Sequence, residues 1–205
     1  SGGCRPKCLW HDREGAWLVK FRHTYDPKDI GRMEYKYNEV ARKCGINVPD
    51  YKLLDGKYFA SKRFDIENGK RLHIATAGAL LNESISNPKL DYKVLLHLTG
   101  YLTQDSQQVD EMFQRMVFNV LTDNKDDHVK NFSFICREGK WSLAPAYDLT
   151  LCKEGYHGEH ATSANNKGNP DIEDMLAVGE SIRIPRRKGM EIINHMINHC
   201  QEILS

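Results

Sequence analysis

The stretch TDNKDDHVKNFSFICREGKWSLAPAYDLT, residues 122–150, is the part of the sequence that decides the fold. It opens with a crowded polar run and continues through two short runs rich in apolar residues, NFSFIC and WSL. The turn sequence REGK separates these runs, so the pattern predicts a β-hairpin. Polar positions frame this hairpin, since Asp126 precedes Asn131 by five positions and Asp148 follows the second run.

These three side chains are the types that phosphoryl transfer requires. The reaction needs a cation on the nucleotide phosphates, oxygen ligands for Mg²⁺ and a carboxylate near the attacking hydroxyl group. Protein kinases place an aspartate five positions before an asparagine, and a metal-binding aspartate follows later in the chain. The spacing therefore predicts a kinase-type site, with Asp126 as the catalytic base and Asn131 and Asp148 as Mg²⁺ ligands.

The N-terminal part of the chain carries the other groups that such a site needs, in the required order. Gly2 and Gly3 can bring backbone N–H groups close to phosphate, because glycine has no Cβ. The strand-like run WLVKF presents the compact ammonium of Lys20 to the α- and β-phosphates. The helical pattern that follows carries Glu34 and Glu39, either of which could pair with Lys20. Lys20 alone would be an ordinary edge-strand lysine, and only the ordered set favours a kinase.

Periodicity and turn signals predict the secondary structure around these residues. The first part of the chain is predicted to be mainly strands with one helix, and the second mainly helices with one hairpin. Such segregation predicts an α+β, bilobal, protein-kinase-like fold, with a small strand-rich N-lobe over residues 1–66 and a mostly helical C-lobe over residues 67–205. The predicted elements are hairpins over 8–21 and 46–65, the latter turning at Asp55-Gly56, helices over 32–45, 75–82, 91–103, 108–123 and 187–204, and a mobile loop over 153–171.

The composition excludes several classes of protein. The 205 residues are 40% hydrophobic and 28% charged, which indicates a globular core rather than disorder. The 29 basic and 28 acidic residues nearly balance, so charge offers no argument for direct binding to nucleic acid or to a membrane. No apolar run approaches the ~18–20 residues that a membrane span needs. The six scattered cysteines form no C-x-x-C pair, which is typical of reduced intracellular thiols.

At the level of whole motifs, the stretch at 122–150 resembles the signature of HipA-like serine/threonine kinases, the toxin components of bacterial toxin–antitoxin systems. The runs GGCRPK, WLVKF, INVPD and SKRFD match other landmarks of that family in order, so the resemblance covers essentially the whole chain. It implies ATP and Mg²⁺ as cofactors and a protein serine or threonine as acceptor, possible targets being aminoacyl-tRNA synthetases. It also implies an antitoxin with a helix-turn-helix domain as partner, contact with DNA only through that antitoxin, and a bacterial cytoplasmic location, with secretion left open.

Carried over by position, the resemblance assigns catalysis to Asp126 and Lys20 and metal binding to Asn131 and Asp148. It favours Glu34 over Glu39 as the partner of Lys20. It places a hinge that offers backbone groups to adenine at residues 62–64. The full set that it assigns to ATP is Gly2, Gly3, Lys7, Lys20, Glu34, Lys62, Arg63, Phe64, His128, Lys130, Asn131, Tyr147 and Asp148.

The chain also departs from the family pattern. Lys125 stands where the family usually has threonine. The family's autophosphorylated serine is expected upstream of residue 1, so this role is not assigned to Ser1. The long N-terminal subdomain of the family is not represented, and we therefore expect a compact, split or truncated form.

Several alternatives stay open at the level of sequence. The chain could be a catalytically silent pseudokinase that serves as a binding module, or a small-molecule kinase of the aminoglycoside or lipid type. Asp127 could be a second functional carboxylate or could anchor the loop through hydrogen bonds. His157 and His160, in the predicted mobile loop, are expected to be solvated, the alternative being a role in a loop near the cleft.

Overall fold

The structure is a computed structural model and describes residues 5–84 and 90–204. The predicted phosphate loop residues Gly2 and Gly3, and Ser1 beside them, lie outside the described residues. Nine strands form three sheets within the described part of the chain. The strands are β1 (Lys7–Asp12), β2 (Gly15–Lys20), β3 (Tyr51–Leu54), β4 (Tyr58–Lys62), β5 (Ile66–Glu67), β6 (Lys70–Arg71), β7 (His73–Thr76), β8 (Ser133–Arg137) and β9 (Lys140–Leu143).

Six helices complete the described elements. The first of them lies between β2 and β3 in the chain, and the other five lie in its C-terminal two thirds. They are α1 (Ile30–Lys43), α2 (Ala77–Leu81), α3 (Tyr92–Thr103), α4 (Ser106–Leu121), α5 (Ile172–Ser181) and α6 (Arg186–Leu204).

The N-terminal sheet confirms both predicted hairpins. Its antiparallel strands lie in the order β1-β2-β4-β3. Between β3 and β4, Asp55 and Gly56 both have positive φ angles, 48° and 65°, as an Asp-Gly hairpin turn requires. Trp17, Val19 and Ala60 are buried on one face of this sheet and form a small hydrophobic cluster. The hairpin β1–β2 thereby holds Lys20, its last residue, at the edge of a packed layer.

Helix α1 joins the N-terminal sheet to the C-terminal helices. It contacts β3 and β4 on one side and α6 on the other. The hydroxyl group of Tyr37 donates to the carbonyl of Thr122 at 2.7 Å, and its ring packs edge-on against Phe118 of α4 at 6.2 Å between centroids. Val40 and Ala41 are fully buried in the main hydrophobic cluster, which they share with α3, α4 and α6. Both predicted lobes contribute to this core, and the boundary at residues 66 and 67 stays a prediction.

A three-stranded sheet with the order β7-β8-β9 carries the predicted hairpin of residues 131–143. Strand β7 was not predicted, because residues 75–76 were assigned to a helix that in fact begins at Ala77. The four residues of β7 pair with residues 133–136, about sixty positions away, and no local pattern reveals that partner. The hydroxyl oxygen of Thr76 accepts a hydrogen bond from the Ala79 amide at 3.1 Å, and so caps α2 where the strand ends.

The predictions for α3, α4 and α6 are confirmed to within a few residues, whereas α5 was not predicted. Its signal was present as a capping box, in which Asp171 and Asp174 each accept a hydrogen bond from the other's backbone N–H group at 3.0 Å. Within the described part of the chain, no helix combines the length and the apolar character that crossing a membrane would require.

The segment between β9 and α5 is a loop, as predicted, but it is attached to the helical core along its length. Residue 163 pairs with Asp91 in an isolated parallel bridge, and the Ser163 carbonyl accepts from the Tyr92 amide at 2.8 Å. A second bridge joins Asn124 to Cys152. The expectation that His160 is solvated is wrong, since only 6% of its surface is exposed.

Candidate active site

Lys20 is the point at which three parts of the chain meet. It ends β2, and its ammonium group contacts Glu34 of α1 and Asp148 of the segment that follows β9. The Lys20 side chain is 10% exposed and that of Glu34 is 2% exposed. Of the two glutamates proposed as partners, Glu34 is therefore the one that pairs with Lys20. Glu34 lies on the buried face of α1, which directs its carboxylate towards the sheet.

The charges of this group of three are mutually dependent. Burial alone would lower the pKa of Lys20, but the carboxylates of Glu34 and Asp148 raise it above its ordinary value. Burial also opposes ionisation of Asp148, yet the Lys20 ammonium holds the pKa of Asp148 below its ordinary value. Burial raises the pKa of Glu34 in spite of the same ammonium. Lys20 is thus a fixed cation that two acidic side chains hold in place.

Asp126 lies in the irregular loop between α4 and β8. Its side chain is 55% exposed, and its Oδ1 lies 3.8 Å from Nε2 of His128. Partial burial raises the pKa of Asp126; His128 opposes this shift, and the nearby carboxylates of Asp148 and Asp127 add to it. A raised pKa favours a carboxylate that has to accept a proton from a hydroxyl group.

Asn131 is held by the backbone of the same loop. Its amide Nδ2 donates to the carbonyl of Asp126 at 2.7 Å, and its backbone N–H donates to the carbonyl of His128 at 2.8 Å. The side-chain nitrogen is therefore used within the loop, and the side-chain oxygen is the atom suited to a cation. Asn131 and Asp148 both line a small cavity of about 10 Å³. Asp148 has a φ angle of 55°, a left-handed conformation that is uncommon for non-glycine residues and that aspartate tolerates better than most.

The donor set fits Mg²⁺ bound together with a nucleotide. An amide oxygen and a carboxylate are hard oxygen ligands, and Mg²⁺ at nucleotide sites is commonly held by one or two carboxylates plus phosphate oxygens and water. Over residues 5–84 and 90–204, no group of three or more His, Cys, Asp or Glu side chains is arranged to hold a metal ion. Asn131 and Asp148 would supply two oxygen ligands, and phosphate oxygens and water would complete the coordination of Mg²⁺.

A cavity of about 530 Å³ lies beside Lys20 and Asp148, within the size range of small-molecule sites. Phe64 and Tyr147, both in its lining, stack on each other with 5.6 Å between their ring centroids. The Tyr147 hydroxyl group donates to the Lys130 carbonyl at 2.6 Å, which ties this wall to the loop of Asp126. The predicted ATP residues that line this cavity are Lys7, Lys20, Lys62, Arg63, Phe64, Tyr147 and Asp148.

Other predicted ATP residues lie outside the lining of this cavity. Glu34 lines a different cavity of about 210 Å³, which Lys20 also lines. The imidazole of His128 lies close to the carboxylate of Asp126, and Lys130 is exposed. The apolar residues that line the cavity of about 530 Å³ were not predicted from the sequence. Side chains at alternate positions of a strand lie on the same face of a sheet, and this pattern could have identified them. The missed apolar residues are Leu9, Leu18 and Phe59.

Backbone hydrogen bonds within residues 62–64, the predicted hinge, limit which N–H groups are available to adenine. The amide of Lys62 donates to the carbonyl of Asp50 at 2.7 Å, and that of Arg63 donates to the carbonyl of Ala16 at 2.8 Å. The Arg63 side chain is paired with Asp65. The N–H groups of Lys62 and Arg63 are therefore already used in hydrogen bonds within the protein. Within the predicted hinge, this leaves the N–H group of Phe64 as the donor to an adenine ring.

Comparisons with known sequences connect this geometry to a family. The model of the HipA-like C-terminal domain matches residues 1–204. Y4dM of Sinorhizobium fredii, a protein assigned as a kinase by name, is 27% identical over 169 residues. The match covers 74% of this chain and 41% of Y4dM, so the chain spans less than half the length of that relative.

Comparisons with solved structures confirm the predicted kinase-like α+β fold. A chain of the Shewanella oneidensis MR-1 complex of HipA, HipB and operator DNA has a TM-score of 0.80 at 19% identity, covering 99% of this chain and 57% of that chain. The Helicobacter pylori proinflammatory kinase CtkA has a TM-score of 0.60 at 14% identity, covering 96% and 90%. At these identities the likeness concerns the fold alone. Because the family match extends over nearly the whole sequence, this chain belongs to the HipA-like C-terminal domain family.

Proposed function

We propose that this chain transfers the γ-phosphate of ATP to a serine or threonine of a protein, in a reaction that depends on Mg²⁺. The observation that carries the proposal is the position of Lys20, whose buried ammonium is held by Glu34 and Asp148 at the edge of the cavity of about 530 Å³. Such a fixed cation beside a nucleotide-sized cavity is what phosphoryl transfer needs from a protein. Asp126, 55% exposed, is accessible to an acceptor.

The proposed step assigns one task to each group. The acceptor hydroxyl oxygen attacks the γ-phosphorus, the bond from the γ-phosphorus to the bridging oxygen breaks, and ADP leaves. Asp126 accepts the hydroxyl proton, which its raised pKa favours. Lys20 neutralises phosphate charge. Mg²⁺, when held by Asn131 and Asp148, supplies charge neutralisation at the phosphate oxygens.

The biological role is proposed from the family resemblance. The Shewanella oneidensis structure contains, by its title, HipA with HipB and operator DNA. On this basis we propose that the chain acts as a growth-inhibiting toxin of a toxin–antitoxin module, in the bacterial cytoplasm. Its partner would be an antitoxin with a helix-turn-helix domain that alone contacts DNA, and an aminoacyl-tRNA synthetase is the proposed class of target.

The proposal is tested by incubating the purified chain with radiolabelled ATP, Mg²⁺ and dephosphorylated casein, with kanamycin as a small-molecule acceptor in parallel. We expect phosphoserine or phosphothreonine on protein, and a loss of about 10²- to 10⁴-fold in rate for Asp126→Asn, the usual range for a general base. Asp123→Asn is the matched control, because Asp123 lies in the same loop but lines a separate cavity that includes neither Lys20 nor Asp148, whereas Asp126 is close enough to Asp148 for their charges to interact.

Three outcomes would contradict the proposal in different ways. Binding of ATP without any transfer would favour a silent binding module. Labelling of kanamycin alone would favour a small-molecule kinase. Equal transfer by the wild type and Asp126→Asn would remove the assigned role of Asp126 while leaving phosphotransfer itself in place.

A further inference from the structure

The two residues that flank Asp126 in the sequence both bind one segment of the chain, residues 152–171, which we call the docked segment. The side chain of Asp127 is completely buried, whereas that of Asp126 is 55% exposed, so the two carboxylates point in different directions. We infer that Lys125 and Asp127 are positioning residues, which couple the docked segment to the catalytic aspartate and so orient Asp126 towards its acceptor. This inference rests on the proposed function.

Asp127 is bound from three directions. Its Oδ2 accepts a hydrogen bond from the Tyr92 hydroxyl group of α3 at 2.7 Å and contacts Nδ1 of His160 at 2.9 Å. Its Oδ1 accepts from the Thr162 amide at 3.2 Å, and its backbone carbonyl accepts from the Thr162 hydroxyl group. Two of these partners belong to the docked segment and one belongs to the helical core. Asp127 therefore anchors the loop, which is one of the two roles that the sequence left open.

The contact with α3 continues through a buried network back to the start of the same loop. The Tyr92 hydroxyl oxygen accepts from Nδ2 of Asn119 at 3.0 Å, and Oδ1 of Asn119 accepts from Nδ2 of Asn124 at 2.9 Å. Burial raises the pKa of Tyr92 far above its ordinary value, so Tyr92 remains a donor to Asp127. Because these side chains are buried and mutually hydrogen-bonded, the network holds the loop in one register against α3 and α4.

Lys125 binds the docked segment from the other side of Asp126. Its ammonium donates to the Gly158 carbonyl at 2.8 Å and to Oδ1 of Asn169 at 2.9 Å. Its backbone N–H group donates to the Cys152 carbonyl at 3.1 Å, and its carbonyl accepts from the Ala161 amide at 3.2 Å. A shorter side chain at this position would lose both contacts of the ammonium group while keeping those of the backbone.

The docked segment also packs tightly against Lys125. A Cβ atom added at Gly155 would lie 2.5 Å from Cβ of Lys125 and 2.2 Å from the Glu159 carbonyl oxygen. Gly155 has a φ angle of 43°, which glycine adopts without steric cost. Residues 153–159 are all exposed, so the docked segment presents an open surface beside the loop of Asp126. An acceptor protein approaching Asp126 would meet this surface.

The geometry predicts that loosening the docked segment affects phosphate transfer to the acceptor protein but not the binding of ATP. Of the described residues, those lining the cavity of about 530 Å³ include neither Lys125 nor Asp127 nor any residue of the docked segment. Asp127 lines the small cavity of about 10 Å³ together with Asn131 and Asp148, whereas Lys125 does not, so Lys125→Met is the cleaner test of the KM for ATP. Loosening the docked segment should therefore lower kcat and leave the KM for ATP close to that of the wild type. Misplacement of a catalytic group by about 1 Å can cost on the order of 100-fold in rate, and we expect a fall of about 10- to 100-fold for Asp127→Asn and Lys125→Met.

The experiment measures kcat and the KM for ATP with casein as acceptor, together with amide hydrogen exchange of peptides from residues 152–171, in the full chain. Lys125→Arg, which keeps donors at this position, should recover most of the activity that Lys125→Met loses. The matched control is Asp12→Asn, since Asp12 lies in the β1–β2 hairpin and also accepts several hydrogen bonds, including those of the Glu14 amide at 2.9 Å and Trp17 Nε1 at 2.8 Å.

We expect Asp127→Asn to lower kcat and to accelerate exchange in the docked segment, and Asp12→Asn to lower the melting temperature without either change. Wild-type kcat and exchange in both Asp127→Asn and Lys125→Met would overturn the inference, and so would a loss of kcat that merely follows the melting temperature in all variants. If the wild type transfers no phosphate, the proposed function fails instead, and the exchange measurement still decides whether the two residues hold the docked segment.

Discussion

The ammonium group of Lys20 and the carboxylate of Asp148 form a salt bridge although 128 positions separate them in the chain. Glu34 contacts the same ammonium from α1, so one cation joins the first hairpin, the first helix and the segment after the last strand. Removing one partner of a buried ion pair leaves the other with an uncompensated charge. The integrity of the proposed site should therefore depend on each of these three residues.

Glu34→Gln should weaken phosphotransfer because Lys20 would lose one of the two carboxylates that fix its position. We expect kcat/KM for ATP to fall by about 100-fold, as is usual when a substrate-positioning group shifts. Glu39→Gln is the matched control, since Glu39 lies on the same helix and is not part of the contact with Lys20. Steady-state kinetics at several ATP concentrations check this, and equal losses in the two variants would show that the pair has no special role.

Gly31→Ala should displace α1 from the N-terminal sheet. A Cβ atom at Gly31 would lie 2.0 Å from the carbonyl oxygen of Lys57, which is backbone and cannot move aside as a side-chain end could. Because overpacking typically costs about 1–3 kcal/mol, we expect a loss of that size in the free energy of unfolding. Activity should fall as well, since α1 carries Glu34.

Gly100→Ala provides the comparison for this prediction. Gly100 lies inside α3, and the nearest atom to an added Cβ would be Cγ2 of Val109 at 3.4 Å. Alanine is favoured over glycine in a helix interior by about 1 kcal/mol, so this variant should be neutral or more stable. Urea unfolding of both variants measures the difference. An unchanged free energy of unfolding for Gly31→Ala would contradict the close contact between α1 and the Lys57 carbonyl.

Asp12→Asn should lower stability in a manner that depends on pH. The hydrogen bond from Lys52 is the main cause that lowers the pKa of Asp12 from 3.8 to about 2, with Trp17 contributing. A pKa that is lower in the folded state stabilises the fold above the unfolded value, and this contribution disappears as pH falls from about 4 towards 2. The difference in melting temperature between wild type and variant should therefore be largest at pH 7 and smaller at pH 3.

The control for the pH dependence is Asp55→Asn in the β3–β4 turn. It changes the net charge equally, and asparagine also tolerates the positive φ of 48° found there. Melting curves at pH 7, 5, 4 and 3 make the comparison. A difference for Asp12→Asn that stays constant over this range would show that the Lys52 contact does not control its titration.

Much of the fold could be predicted because its signals are local. Asp55-Gly56 marks a turn, and the spacing of apolar residues in α3, α4 and α6 marks helices. Strand β7 could not be predicted, because its four residues become a strand only when they pair with β8, more than fifty residues later. The prediction for His160 was wrong because its polar, glycine-rich surroundings indicate exposure, whereas its hydrogen-bond partner Asp127 comes from a different part of the chain.

By itself, the sequence determined which side chains could take part in chemistry, since the order of Lys20, Asp126, Asn131 and Asp148 is a property of the chain. Only the tertiary structure decided which of them touch: Glu34 rather than Glu39 pairs with Lys20, and Asp127 turns inward while Asp126 faces solvent. It also assigned contacts to Lys125, the residue that departs from the family pattern. The physical reason is that residue type and spacing are local properties, whereas burial and hydrogen-bond partners depend on segments that meet only after folding.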